Sequence, residues 1–241
     1  LLPKDHRLLD CRVEVLASSP PARSGGDAEG SHAVSGEGAN PLESPYPGSQ
    51  PFSQDRRHAF FGREKECGDL VRLLTTERCR TVLFYSPSGA GKSSLLNTAL
   101  REALTERGCR ILATRLCGPL GLAMDPDFGN PYTLALIANL GLSPPSRPTD
   151  LAESIKEVTD DDCYTVLVLD QVEEIASLPG SHDEKAAFFI EVREALESLP
   201  RLRVLLTFRE EQLAYIQRLA AELRADSQVY EMGMLTREDA I

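Results

Sequence analysis

Tryptophan is absent from these 241 residues and aromatics make up only 6%, yet 41% are hydrophobic and 26% charged. That balance belongs to a soluble globular protein and excludes a fibrous or low-complexity chain. A basic excess is lacking too: 37 acidic against 26 basic side chains leave a formal charge of −11. The whole-chain field repels phosphate backbones, so nucleic acid is a poor partner, and the acidity also serves solubility alone. None of the six cysteines forms a CxxC pair or a zinc-like cluster with histidine. They read as reduced thiols, several of them inside apolar segments, which fits a reducing, cytoplasmic setting. No run approaches the ~18 to 20 apolar residues of a membrane helix, and the start LLPKDHRLLD lacks the basic-then-apolar order of a signal peptide. Membrane insertion and secretion are not expected. The chain opens without Met and ends on Ala-Ile, so a longer parent polypeptide is expected.

What is there divides the chain into three. Residues 1–16 alternate in places (Cys11, Val13, Val15) and read as one strand, the end of an upstream element. Residues 17–51 are dense in Pro, Gly and Ser, cannot bury enough surface to offset ordering entropy, and read as a disordered linker. From residue 52 to 241, short apolar strands alternate with helical stretches, the pattern of an α/β domain with a parallel sheet. Strands are predicted at 81–85, 110–116, 164–169, 203–208 and 229–232. Helices are predicted at 64–74, 91–107, 131–140, 150–159, 184–199 and 210–223.

Between the first of these strands and its helix lies SPSGAGKSS, residues 86–94. Phosphate needs dense positive partial charge without steric obstruction, which backbone N–H groups in a glycine-rich turn and the helix start beyond it supply. Gly89 and Gly91 let the backbone curl round a β-phosphate, Lys92 reaches the β/γ oxygens, and the Ser93 hydroxyl can ligate Mg²⁺. Ser86 departs from the GxxxxGK[ST] pattern at its first position, but the strand–loop–helix setting is the one the pattern requires. The expected ligand is ATP with Mg²⁺; no NKxD-like guanine reader follows the acidic strand.

A second strand must bring a carboxylate to the metal. TVLVLDQVEEI, residues 165–175, ends its apolar run in Asp170, at the sheet edge where α/β proteins place ligands. Glu173 and Glu174 follow, either to activate water or as a solvated acidic turn. LLTFREE puts Arg209 at the end of another strand, where a guanidinium can sense a γ-phosphate or stand as an ordinary surface residue. Upstream, FFGREKE at 60–66 either wraps an adenine with apolar surface and backbone or anchors the helix that follows.

These four segments, in this order, resemble the STAND signalling ATPases, relatives of the NACHT and AP-type regulators, and especially their novel-STAND bacterial branch. The similarity spans about residues 45–241. It implies an α/β P-loop NTPase fold, a five-stranded parallel sheet flanked by helices in the strand order of AAA-like proteins. It further implies adenine and ribose contacts from Phe61, Gly62 and Arg63, and phosphate contacts from Ser88, Gly89, Ala90, Gly91, Lys92, Ser93 and Ser94. Ser93 and Asp170 would hold Mg²⁺, Glu173 would position water, and Arg209 would act as the sensor. The closing MGMLTREDAI is similar to the family's transition into helical and winged-helix lid subdomains, which do not follow here. Lid closure, nucleotide-driven self-association and fused effector or sensor domains are what such proteins use. The expectation is a slowly hydrolysing signalling switch, in bacterial defence or regulation. An AAA-type initiator or loader acting on DNA, and a nucleotide-binding scaffold without turnover, are the competing readings.

Overall fold

The structure, a computed structural model, describes residues 52, 60–115, 129–143, 150–223 and 226–235. All of them belong to the compact unit Tyr46–Ile241. The strand read at 1–16 and the linker read at 17–51 lie outside the described residues.

Five strands, β1 (Thr81–Ser86), β2 (Arg110–Arg115), β3 (Thr165–Asp170), β4 (Leu202–Arg209) and β5 (Ser227–Glu231), form one sheet in the order β2-β3-β4-β1-β5. Every pairing is parallel. The three inner strands are apolar along nearly their whole length because both of their faces are covered. Alternate side chains go to opposite layers. Leu167, Leu169, Val204, Leu206 and Phe208 face one core, with Tyr132, Phe188, Phe189 and Val192. Val166, Val168, Leu205, Val82 and Phe84 face the other, with Leu70, Leu74, Leu95 and Leu104.

The helices fill those two layers. On one side lie α1 (Glu64–Leu74), α2 (Lys92–Leu95) and α3 (Arg101–Glu106). On the other lie α4 (Pro131–Asn139), α5 (Leu151–Lys156), α6 (His182–Ser198) and α7 (Leu213–Ala220). The single helix expected at 91–107 is interrupted by a π-turn at Leu96–Leu100. There the Thr98 hydroxyl donates to the Ser94 carbonyl at 2.6 Å, a back-bond that perturbs the regular ladder. α6 starts two residues earlier than expected because Ser181 and Glu184 form a reciprocal capping box. The helix expected at 210–223 is α7 with a 3₁₀ turn at either end, Glu210–Gln212 and Ala221–Leu223. Cys67, Cys79, Cys109 and Cys163 are all free thiols. Among the described residues no helix is long and apolar enough to cross a membrane.

One packing choice is costly. Glu191 on α6 is 7% exposed, its Oε2 lacks a hydrogen-bond partner, and burial pushes its carboxyl up to about 7. The folded state therefore holds the proton more tightly than the unfolded chain. Stability falls as pH rises from the ordinary carboxylate range to about 7 and levels off above it, a loss on the order of 3 kcal/mol. Thermal unfolding between pH 5 and 8 should show this decline, and Glu191→Gln should flatten it; an equal decline in the variant would exclude Glu191 as its source.

Candidate phosphate and metal site

Because all strands run the same way, their carboxyl ends share one edge, and β1 delivers the glycine-rich loop there. Gly89 and Gly91 sit at φ of 80° and 94°, left-handed values that side chains resist. A Cβ on Gly89 would meet nothing within 4 Å, so this part of the loop borders open space. Gly91 caps α2, whose first turn begins with Lys92 and Ser93. The Lys92 Nζ donates to the Ser86 hydroxyl at 2.7 Å. Burial lowers the Lys92 pKa, while the carboxylates of Glu173 and Asp170 pull it back up. Ser86, the departure from the glycine pattern, is thus the resting partner of the lysine.

β3 brings Asp170 to the same place. Its Oδ2 accepts from the Ser93 hydroxyl at 3.2 Å and its Oδ1 from the Thr207 hydroxyl at 2.5 Å. Arg115, its register partner on β2, places Nε 3.4 Å from Oδ2. Thr207 is fully buried on β4, between the strands that carry the loop and the aspartate. Its oxygen also accepts from the Gln171 N–H at 3.2 Å. That bond braces Gln171 at φ 57°, an uncommon conformation for a residue with a side chain.

The reversal at Gln171 leads into the 3₁₀ turn Val172–Ala176, which carries Glu173 and Glu174. The Glu173 side chain is 12% exposed, and its Oε1 lies 3.4 Å from Arg209 Nε. Its other oxygen is buried and unpartnered, as is Oε2 of Glu174. Burial raises the Glu173 pKa, partly offset by Lys92 and Arg209. Arg209, the register partner of Ser86, is half exposed.

The upstream segment is placed differently. Phe61 is 68% exposed, whereas Arg63 is 3% exposed and bonded to Glu66, Ala90 and Gly233. Gly62 turns at φ 78° beside them. The buried Ser94 accepts from the Phe52 N–H at 3.1 Å through its hydroxyl oxygen, which keeps the O–H free to donate. Ser88 is exposed at the loop tip, and Ala90 is buried with its carbonyl on Arg63.

The structure therefore brings Lys92, Ser93, Asp170, Glu173 and Arg209 to one edge, and adds Thr207 and Arg115, which the sequence reading missed. A threonine within the apolar run of β4 was a signal for the first. The register that selects the second is set by strand pairing, which no local pattern encodes. The donor set fits Mg²⁺: a hydroxyl and a carboxylate offer hard oxygens, and this ion usually completes its shell with water and phosphate oxygens. Among the described residues there is no group of three or more His, Cys, Asp or Glu that could hold a metal ion.

Comparison with known proteins bears on the fold and the family. No curated protein matches the chain. Among solved structures, the Walker-type ATPase PABY2304 of Pyrococcus abyssi superposes with a TM-score of 0.55 at 17% identity, over 79% of this chain and 59% of that one. The Aeropyrum pernix ORC2 protein in its ADPNP–ADP complexes gives a TM-score of 0.47 at 15% identity, over 71% of this chain and 48% of that one. AMPPCP-bound DnaA from Aquifex aeolicus gives 0.43 at 18%, over 76% and 51%. The chain thus spans about half to three-fifths of the length of these proteins, and at such identities the likeness to PABY2304 establishes the fold alone. Residues 45–241 match the family described as Novel STAND NTPase 1. With that match covering most of its length, and with a glycine-rich loop leading a parallel sheet, the chain belongs to the novel STAND NTPase 1 family of P-loop nucleotide-binding domains.

Proposed function

We propose that this domain binds ATP with Mg²⁺ and serves as a slowly hydrolysing switch. The observation that carries the reading is the convergence of Ser93 from the loop and Asp170 from β3 at 3.2 Å, beside Lys92. Mg²⁺ bound there would supply charge neutralisation between phosphate oxygens. Lys92, released from Ser86, stabilises charge on the transferring phosphoryl group together with the loop amides. Thr207 keeps the Asp170 carboxylate oriented. Glu173, a buried carboxylate with one unpartnered oxygen, is placed to orient and deprotonate water.

The same geometry supports the reading of slow turnover. Glu173 is drawn to Arg209, and a base paired with a guanidinium is a weaker proton acceptor until that pairing loosens. Adenine is favoured over guanine because the exposed ring of Phe61 offers an apolar face and no guanine-reading NKxD segment follows the acidic strand. The net charge of −11 supports a nucleotide-regulated role over a nucleic-acid-binding one. Signalling through self-association and fused domains is the family-level use of such a switch, and the longer chains of the proteins compared leave room for it.

Lys92→Ala should weaken ATP binding at least about tenfold, since a charge-assisted hydrogen bond contributes about 1.5–3 kcal/mol. Fluorescence titration checks this, and unchanged affinity would remove Lys92 from the site. Glu173→Gln should keep the ATP affinity while lowering kcat by about 10²–10⁴; unchanged turnover would show the base assignment to be wrong. Because burial raises the Glu173 pKa, accumulation of its basic form is displaced toward higher pH. Wild-type turnover should accordingly rise with pH through an acid limb displaced upward, and any residual activity of Glu173→Gln should lack that limb.

A further inference from the structure

Arg63 stands in the stretch that resembles a nucleobase contact, yet it is 3% exposed and both of its terminal nitrogens are engaged within the protein. Nη1 reaches the Glu66 carboxylate at 2.6 Å. Nη2 donates to two backbone carbonyls, Ala90 at 2.9 Å and Gly233 at 2.8 Å, residues 27 and 170 positions away along the chain. The Nε is buried without a partner. One nitrogen therefore ties the glycine-rich loop and the chain leaving β5 to a single point.

Both ends of the tether are places the backbone would not hold by itself. Ala90 lies between Gly89 and Gly91, the two left-handed glycines of the loop. A trans peptide is planar, so a carbonyl aimed at Arg63 turns the following Gly91 N–H the opposite way. The bond thus fixes the aim of one of the amides that would face phosphate. At the other end Met232 is fully buried and its N–H donates to the Tyr85 carbonyl at 2.9 Å. Gly233 comes next and has no side chain to anchor it, and beyond it Met234 and Leu235 are exposed. The Arg63 bond ties the chain at Gly233, one residue beyond the buried Met232. A buried charge with a single carboxylate partner is expensive, and arginine's fork serves two carbonyls and a carboxylate from two separated nitrogens, where lysine offers one nitrogen.

We propose that Arg63 is a positioning residue that couples the phosphate loop to the segment following β5. Loop conformations that hold phosphate also hold Gly233, and release of either loosens the other. The coupling is reciprocal, so whatever stabilises the docked segment raises nucleotide affinity by the same factor. This rests on the nucleotide-binding reading above and adds a route by which occupancy is sensed at the end of the sheet.

Amide hydrogen exchange on the full chain, with and without a non-hydrolysable ATP analogue and Mg²⁺, tests it. In wild type, nucleotide should slow exchange in the loop, residues 88–94, and also at residues 232–235, there by about 5–150-fold, the usual span of coupling. In Arg63→Lys, the loop should still be slowed at saturating nucleotide, while residues 232–235 no longer respond and exchange faster even in the empty protein. Amides of β1 and β4 should stay protected, which reports an intact fold. If Arg63→Lys does not fold, Glu66→Gln, which keeps the guanidinium but removes its orienting charge, should show a reduced response at 232–235. A loop that responds in wild type while 232–235 do not, or a full response at 232–235 in whichever variant folds, would overturn the proposal. Absence of any response in the wild-type loop would instead overturn nucleotide binding, and the coupling with it.

Discussion

The Asp170 carboxylate is held between two hydroxyls, Ser93 from the first turn of α2 and Thr207 from β4, and the rest of the site is arranged around that fact. In the order β2-β3-β4-β1-β5, β4 separates the strand that carries the loop from the strand that carries the aspartate. Ser93 must reach across that gap, and Thr207 occupies it. A buried hydroxyl in an apolar strand would be costly without partners. Here it has two, donating to Asp170 and accepting from the Gln171 N–H. The second bond braces a left-handed residue, a conformation that costs a non-glycine residue about 1–2 kcal/mol, and that reversal starts the turn carrying Glu173. Strain of this kind is tolerated where the surroundings determine the backbone from several sides.

Charge in the site is balanced internally. Arg115 faces Asp170 and Arg209 faces Glu173, both at 3.4 Å, while Lys92 rests on Ser86. These ion pairs are longer than the 2.7–2.9 Å of a strong charge-assisted hydrogen bond. They keep buried charges from standing alone, yet are weak enough to be exchanged for phosphate and metal. A ligand entering such a site would gain new partners at the cost of old ones. Arg63 extends the same logic outward, because the loop it fixes and the chain it holds after β5 share one guanidinium.

Much of this was legible in the sequence because the strands buried on both faces are uninterrupted apolar runs, and because Lys92, Ser93, Asp170 and Arg209 stand at the ends or just beyond the ends of such runs. Asp170 was read as following its strand and instead closes it. What escaped depended on contacts between segments distant in the chain. The pairing of Arg115 with Asp170 is set by register, which no local pattern encodes. The π-turn after Ser94 was hidden inside a helical periodicity that it hardly disturbs, and the capping residue Ser181 was present in the sequence but passed over. Motif position said nothing of the long-range bonds that the Arg63 and Ser94 side chains make to Ala90, Gly233 and Phe52.

The most direct test is a structure determined with a non-hydrolysable ATP analogue and Mg²⁺. The account predicts phosphates cradled by the loop, the metal held by Ser93 beside Asp170, and Lys92 moved from the Ser86 hydroxyl onto a phosphate oxygen. A nucleotide bound away from the loop, with Lys92 still on Ser86, would contradict it.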